Sequence, residues 1–241
     1  MPRATRSDRP SGLAARAAPT GPARGGAGAA AAIGAAWLAG AVPFSNLVAR
    51  QRAGVDLRHV GGGTVSGTAL HGVAGFGPLA VAGICDVAKG ATGPLLAGRD
   101  RPYLAAAATA AGIAGHNWSP FLRGAGGRGV SVALGALTVR NWPGTVVLAV
   151  GLAAGRLARQ TGLGSFVADV ALVPTLAATR GRPGACMGVA VTGVLLAKRL
   201  AGNRPPDRPT WRAYAERLLF DRDLDERPAA GPSEPAARTV P

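Results

Sequence analysis

Charge is scarce in this sequence. Only 16% of the 241 residues are charged, against about a quarter in a typical soluble domain. Two long stretches, 25–49 and 129–155, are nearly free of charge and consist mainly of Ala, Val, Leu and Gly. The polar stripes at a 3.6-residue period that a soluble alanine-rich helical protein would need are also missing. That alternative is therefore disfavoured, and apolar runs of this length indicate helices that cross a membrane.

Lysine is nearly absent too: Lys89 and Lys198 are the two lysines among 27 basic residues. The net charge of +15 would suit nucleic acid, but no basic face interleaved with aromatic residues is visible. We therefore expect no nucleic-acid partner. The arginines lie mainly in the tails and between apolar runs, where basic residues orient membrane proteins.

Cysteine is limited to Cys85 and Cys186, both in apolar surroundings. No spacing typical of metal ligands exists, so no metal is expected and both thiols are predicted to be reduced core residues. Glycine, by contrast, is abundant, with 37 residues. In lipid the backbone must satisfy its own hydrogen bonds, and small residues let helices approach closely. The predicted fold class is all-α: a polytopic membrane helix bundle.

The chain divides into three predicted regions. Residues 1–26, rich in Arg, Pro, Ala and Gly, are predicted to be a disordered basic extension. A cleaved signal peptide is the alternative, and the length of the following apolar run argues against it. Residues 27–203 form the membrane domain. Residues 204–241 form a cytoplasmic tail, in which Trp211, Tyr214 and Leu218 recur at helical spacing. Either an amphipathic helix on the membrane surface or a marginal helix with a disordered end would fit.

About seven short transmembrane helices are predicted, with five or six as alternatives, at about 27–49, 76–97, 103–114, 129–139, 145–157, 165–179 and 185–200. Basic loops follow the odd-numbered spans, which predicts that these ends face the cytoplasm, with the N-terminus outside and the C-terminus inside. Against this, Arg99, Arg101, Arg180 and Arg182 would lie outside.

Polar residues held among membrane helices are functional candidates. The loop 56–68 is rich in glycine and hydroxyl groups, so it can present N–H donors to an anion or can be a flexible connection. Asp86 and Lys89 share one helix face at a spacing of three. They can form a structural ion pair, or Lys89 can neutralise a phosphate.

The segment 115–129 is the most specific signal in the chain. His116 ends one helix, Pro120 breaks the chain, and a glycine loop holding Arg128 opens the next helix. N–H groups at a helix N-terminus favour phosphate, and an arginine can bind two phosphate oxygens in a fork. A plain tight turn is the competing interpretation.

From about Leu38 to Gly202 the chain resembles the acyl-phosphate-dependent glycerol-3-phosphate acyltransferases of bacterial membranes, the PlsY type. Residues 41–50 resemble the end of that family's first helix, and 56–68 occupy its first motif loop. Asp86–Gly90 matches Asp-x-x-Lys-Gly. Residues 115–129 resemble Gly-His-x-x-Pro…Gly-Gly-Lys-Gly, with Pro120 one place late and Arg128 for lysine. Residues 198–202 resemble the end of the third motif.

The resemblance implies a multi-pass enzyme of the bacterial plasma membrane with cytoplasmic active-site loops and no cofactor. It would move an acyl chain from acyl-phosphate to glycerol 3-phosphate, giving lysophosphatidic acid and phosphate among membrane lipids. Its implied catalytic residues are His116 and Arg128. Its implied substrate-binding residues are Gly63, Thr68, Asp86, Lys89, Gly126, Gly127 and Gly129.

The first and third motifs depart from the family pattern. In the first, five positions and a following arginine are replaced, by Gly62, Thr64, Ser66, Gly67, Ala69 and Gly72. In the third, Gly193 and Leu196 stand where His and Asn are expected. A catalytically inactive paralogue acting as a membrane scaffold or lipid-binding protein is therefore the alternative function. A small transporter is disfavoured because no inverted repeat is visible.

Overall fold

The computed structural model describes residues 25–206 and 208–221, and this part of the chain is helical without a strand. The predicted all-α class is confirmed. The N-terminal extension lies, but for its last two residues, outside the described residues, as does the chain beyond residue 221. The helices are α1 (Gly26–Ala41), α2 (Phe44–Ala53), α3 (Gly67–Ala74), α4 (Phe76–Gly90), α5 (Thr92–Ala97), α6 (Pro102–Asn117), α7 (Val130–Arg140), α8 (Trp142–Leu157), α9 (Thr161–Ala201) and α10 (Trp211–Phe220), with short 3-10 helices at Leu57–His59 and Pro120–Leu122.

Three helical stretches are long and apolar enough to cross a membrane: Gly26–Ala53, Phe76–Ala97 and Thr161–Ala201. Helices α7 and α8 are shorter apolar helices. Each predicted span is helical over most of its length, although the first is divided between α1 and α2 and the second between α4 and α5. The number of crossings stays a prediction, because length and composition alone identify these stretches.

Two connections between helices differ from the predicted pattern. The first predicted span is divided at Val42-Pro43 into α1 and α2. The sixth and seventh join directly, without a loop, as the two arms of α9 (161–180 and 182–201). Gly181 separates the arms with φ 61° and ψ −150°, a backbone conformation that glycine adopts readily and other residues rarely do.

Glycine lets the central helices pack backbone to backbone. A Cβ at Gly40 of α1 would overlap the carbonyl of Gly112 in α6. In the same way, a Cβ at Gly135 of α7 would overlap the carbonyl of Val87 in α4. Close approach through small residues is the packing that membrane bundles use, because lipid provides no hydrophobic drive between helices.

The outside of the bundle is apolar. Phe76, Ile84, Leu95 and Val150 are each at least 60% exposed, while the interior is filled by residues such as Ile113, Leu137, Leu148, Leu172 and Val191. Exposed large apolar side chains on several helices suit a surface in contact with lipid. The chain is a membrane protein.

Helix α10 packs on the second arm of α9. Buried Arg217 donates hydrogen bonds to the carbonyls of Leu200 and Ala201 (3.4 Å each) and of Arg204 (2.8 Å). A cation is favoured at a helix C-terminus, where carbonyl groups lack helical partners. Trp211 and Tyr214 remain exposed, so the helix predicted for this segment exists, with Arg217 attaching it to the bundle.

Candidate active site

A cavity of about 540 Å³ opens at the end of the bundle where α6 ends and α7 begins. Helix N-termini surround it: Gly67 and Thr68 of α3, Val130 and Ser131 of α7, and Thr161 and Gly162 of α9 line its wall. The first N–H groups of a helix have no helical partner and favour an anion. Arg128 and Arg199 line the same cavity, and each lies beside a carboxylate, Asp221 and Asp169 respectively.

Arg128 stands at the entrance to α7. Gly129, the N-cap residue, has φ 79° and offers no side chain to cap the helix, so the first N–H groups of α7 remain available on the cavity side. Arg128 Nε lies 2.8 Å from Asp221 Oδ1, at the end of α10. Its Nη1 donates to the Lys198 carbonyl (3.4 Å). A carboxylate therefore sits at the guanidinium where the sequence predicted a phosphate.

Asp86, Lys89 and His116 form a buried polar cluster at the cavity floor. Lys89 Nζ lies 2.8 Å from Asp86 Oδ1 and donates to the Val42 carbonyl (2.5 Å). Its distance to His116 Nδ1 is 3.0 Å. Because an ammonium group cannot accept, His116 Nδ1 accepts from Lys89, which leaves the ring proton on Nε2. Asp86 and His116 line the cavity, whereas Lys89 lies behind them.

The glycines before α7 are required for fit. A Cβ at Gly126 would overlap the carbonyls of His116 and Asn117, and one at Gly127 would overlap His116 Nε2. Neither glycine lines the cavity. They bring the loop against His116 and so fix the ring.

Asn203 joins the three motif regions. Its Oδ1 accepts from Lys198 Nζ (2.6 Å) and from the Gly126 N–H (3.1 Å). Its Nδ2 donates to the carbonyls of Gly63 (3.2 Å) and Gly126 (2.9 Å). One side chain thereby connects the first glycine loop, the second glycine loop and the end of α9.

Arg199 couples both ends of α9 to α10. Its Nη1 donates to the carbonyls of Gly162 and Leu218 (3.1 Å each), and its Nε lies 3.4 Å from Oδ2 of the fully buried Asp169. Arg199 thus shapes the cavity wall while its charge is opposed by Asp169.

Two side-chain ion pairs to Asp56 hold the start of the first glycine loop (56–68). Arg58 and Arg50 each place Nη2 2.7 Å from Asp56 Oδ2. Hydrogen bonding from Arg58, helped by Arg50, holds the pKa of Asp56 well below its usual value. Beyond it, Gly63 adopts φ 72° and lies against the Arg58 carbonyl, and Ser66 caps α3 by accepting from the Ala69 N–H (3.2 Å).

The predicted site residues therefore lie in one region. Thr68, Asp86, His116, Arg128 and Gly129 line the cavity; Gly63, Lys89, Gly126 and Gly127 lie behind its wall. Sequence reasoning missed further polar lining and supporting groups, among them Ser45, Ser165, Arg199, Asn203 and Asp221. The family matches at 41–50 and 198–202 covered Ser45 and Arg199, but no signal in the sequence marked the other three.

Comparisons with known proteins identify the family of this chain. The family model described as glycerol-3-phosphate acyltransferase matches residues 30–203. A glycerol-3-phosphate acyltransferase of Synechococcus sp. (strain CC9902) is 34% identical over 163 residues, covering 66% of this chain and 81% of that protein. One of Thermus thermophilus is 38% identical over 156 residues, covering 61% and 75%.

The fold is also similar to solved structures of PlsY (YgiH), an integral membrane glycerol 3-phosphate acyltransferase. Its glycerol 3-phosphate form superimposes with a TM-score of 0.67 at 24% identity, covering 81% of this chain and 94% of that one. Its lysophosphatidic acid form gives a TM-score of 0.62 at 19% identity, covering 71% and 87%. The family resemblance predicted from the motifs is confirmed: the chain belongs to the glycerol-3-phosphate acyltransferase family.

Proposed function

We propose that this protein transfers an acyl chain from acyl-phosphate to the hydroxyl of glycerol 3-phosphate, releasing lysophosphatidic acid and inorganic phosphate. The observation that carries the proposal is the convergence of Arg128, Arg199 and three helix N-termini on one cavity of about 540 Å³. Such a site favours phosphate, and both proposed substrates carry one. The glycerol 3-phosphate and lysophosphatidic acid forms of PlsY add support through a related fold.

Arg128 and the first N–H groups of α7, beginning after Gly129, are the proposed phosphate-binding groups. Thr68, at the start of α3, supplies a hydroxyl and an N–H on the opposite wall. Gly63, Gly126 and Gly127 contribute by letting the loops approach each other. Asp86 and Lys89 form the polar floor of the cavity. Through Lys89 they fix the ring of His116, which we assign to orienting the substrate.

The proposed reaction is direct. The acceptor hydroxyl oxygen forms a bond to the acyl carbonyl carbon, the bond from that carbon to the phosphate oxygen breaks, and phosphate leaves with the electron pair. The hydroxyl proton leaves with the phosphate, because His116 Nδ1 already accepts from Lys89 and Nε2 already carries the ring proton. Positive charge around the phosphate stabilises the leaving group, so little acid catalysis is needed from the protein.

We further propose that residues 27–203 form the catalytic domain in the bacterial plasma membrane, with the active-site end in the cytoplasm. Membrane lipids surround the domain and receive the product. The 204–241 region continues on the cytoplasmic side, beginning with the α10 segment.

The test is acyl transfer by the purified protein. With palmitoyl phosphate and labelled glycerol 3-phosphate, we expect labelled lysophosphatidic acid and one phosphate per product, and none with palmitoyl-CoA. Arg128→Ala should lower kcat/KM about 10- to 150-fold, as loss of a charged hydrogen bond worth about 1.5–3 kcal/mol implies. Arg52→Ala, which removes an exposed arginine outside the cavity, is the matched control.

The alternative is a non-catalytic paralogue, which the replaced residues of the first and third motifs favour. Folded protein that makes no lysophosphatidic acid, and that fails to support growth of a bacterium lacking its own acyltransferase, would establish that alternative.

A further inference from the structure

A second cavity, of about 400 Å³, lies between three arginines. Arg99 comes from the loop between α5 and α6, Arg140 from the last turn of α7, and Arg180 from the end of the first arm of α9. The remaining lining residues are mostly apolar: Pro102, Ala105, Val139, Asn141, Pro183, Gly184 and Met187. The cavity thus combines a basic rim with an apolar wall.

This cavity is at the opposite end of the bundle from the proposed active site. Helix α6 has Pro102 at the second cavity and His116 at the first. At 1.5 Å per residue the two positions are about 21 Å apart along the helix. Helix α7 also runs from one cavity to the other, with Val130 at the first cavity and Arg140 at the second. The second cavity therefore cannot be a lobe of the active site.

The positive charge at this cavity is not neutralised within the described residues 25–206 and 208–221. None of the three guanidinium groups pairs with a carboxylate there. Asp100, next to Arg99 in the chain, is exposed and does not line the cavity. Arg140 Nη2 donates to the Arg99 carbonyl (2.7 Å), which holds its guanidinium at the rim.

Asn141 adds a neutral polar group. It is 8% exposed, and its side chain takes part in none of the hydrogen bonds among the described residues. Its amide atoms are not among the fully buried unpaired groups of the described residues, and Asn141 lines the cavity, so a bound anion can reach the amide. An anion carrying oxygen acceptors and hydroxyl groups would satisfy the amide and the arginines together.

Aromatic side chains mark the depth of this cavity in the membrane. Tyr103 of α6 is 57% exposed and Trp142 of α8 is 61% exposed, each next in sequence to a cavity-lining residue. Exposed tyrosine and tryptophan at helix ends are typical of the level of the lipid headgroups. Single arginines at helix ends often only extend toward that level, but these three come from separate elements and surround one concavity.

We propose that Arg99, Arg140, Arg180 and Asn141 form a binding site for a phosphate-bearing anion on the membrane face opposite the active site. The apolar wall and the headgroup depth favour the phosphodiester of an anionic phospholipid over free phosphate. The site is independent of the acyl-transfer proposal, because the two cavities share no residue.

The experiment uses the full-length protein in delipidated detergent micelles. We would measure the thermal unfolding midpoint and the lipid retained in native mass spectra, titrating phosphatidylglycerol, phosphatidylcholine and inorganic phosphate in separate arms. For the wild type we expect saturable stabilisation and one tightly retained phosphatidylglycerol. For Arg140→Gln/Arg180→Gln we expect the affinity for phosphatidylglycerol to fall at least about tenfold. Arg52→Gln/Arg156→Gln, which removes the same charge from exposed positions at the other end, should behave as wild type.

The three titrations, with phosphatidylglycerol, phosphatidylcholine and inorganic phosphate, distinguish the outcomes. Stabilisation by phosphatidylglycerol alone supports a lipid headgroup, and an equal effect of inorganic phosphate supports a free-anion site with the same chemistry. Equal phosphatidylglycerol affinity in the cavity variant and its control would overturn the proposal. If the double variant does not fold, the single variant Arg180→Gln decides by the same comparison. Arg180 is exposed, and its side chain forms no hydrogen bond within the described part of the chain.

Discussion

Asn203 illustrates how single residues organise the active-site end. Its amide contacts Lys198, Gly63 and both the N–H and the carbonyl of Gly126, so two loops and the end of α9 depend on one side chain. Asn203→Ala would leave Lys198 Nζ, a fully buried side chain, and the Gly126 N–H without these partners. We expect a free energy of unfolding lower by at least about 1–3 kcal/mol and a raised KM for glycerol 3-phosphate, with a smaller change in kcat.

Asn203→Asp serves as the conservative comparison. It keeps the acceptor for Lys198 and Gly126 but loses the two donations to carbonyls, so its stability and KM should lie between those of wild type and Asn203→Ala. Chemical unfolding in detergent and initial rates at varied glycerol 3-phosphate measure both. Unchanged KM in a destabilised Asn203→Ala protein would show that Asn203 stabilises the fold without positioning the loops.

The same residue shows what sequence could predict of the site. Asp86, Lys89, His116 and Arg128 were found because charged groups in apolar runs and a glycine turn before a helix are readable from sequence. Asn203 follows a glycine in a polar segment, and its partner Gly63 is 140 residues away. Nothing local marks such a contact; it exists only after α9 returns to the first loop.

At the scale of elements, α10 restricts the cavity. It lies outside residues 30–203, which match the family, yet Phe220 and Asp221 line the cavity and Asp221 lies 2.8 Å from Arg128. A substrate phosphate must compete with this carboxylate. Because the pair is partly exposed, it should be worth no more than about 1 kcal/mol. Asp221→Asn should therefore lower KM for the phosphate-bearing substrate, by up to about fivefold.

Glu216→Gln is the matched control for that change, since it neutralises a carboxylate in the same helix that does not line the cavity. Steady-state kinetics with each substrate varied in turn shows which phosphate competes. A higher KM in Asp221→Asn would mean that Asp221 supports binding instead of opposing it.

Helix packing can be tested within α1 alone. A Cβ at Gly40 would overlap the Gly112 carbonyl, whereas a Cβ at Gly34 meets nothing within 4 Å. Gly40→Ala should lower the free energy of unfolding by about 1–3 kcal/mol, because the helices must separate. Gly34→Ala should raise it by about 0.5–1 kcal/mol, as alanine is the better helix former. Unfolding in detergent measures both, and equal effects would contradict backbone-to-backbone packing of α1 on α6.

Helices were predicted correctly where apolar runs are long. The start of a helix or the connection between two helices was missed where a capping residue or a glycine with positive φ determines it. Helix α3 begins inside a loop predicted from its glycines, because Ser66 caps it and Leu70 packs into the core. The two arms of α9 agree with two predicted spans, but the tightness of the turn between them escaped prediction, since Arg180, Gly181 and Arg182 read as a polar loop. In the structure Gly181 takes a positive φ that joins the two arms directly.

At the scale of the whole molecule, the structure sorts the basic residues into two groups. The active-site end carries most of them in the described residues, among them Arg50, Arg52, Arg58, Arg123, Arg128, Arg156, Arg159, Lys198, Arg199 and Arg204. The opposite end carries Arg99, Arg101, Arg140, Arg180 and Arg182. The larger group faces the cytoplasm by the positive-inside rule, which predicts a cytoplasmic active site. Anion binding at the second cavity would explain why the smaller group is tolerated on the other side.

Cysteine labelling tests this orientation. In a Cys85→Ala/Cys186→Ala background, single cysteines replace Arg52 at the active-site end or Asp100 at the other end, both exposed. A membrane-impermeant maleimide should label Asp100→Cys in intact spheroplasts and Arg52→Cys only in inverted vesicles. The reverse pattern would place the active site outside, where a cytoplasmic glycerol 3-phosphate pool could not reach it. Because the two cavities lie at opposite ends of α6 and α7, one orientation determines the side of both.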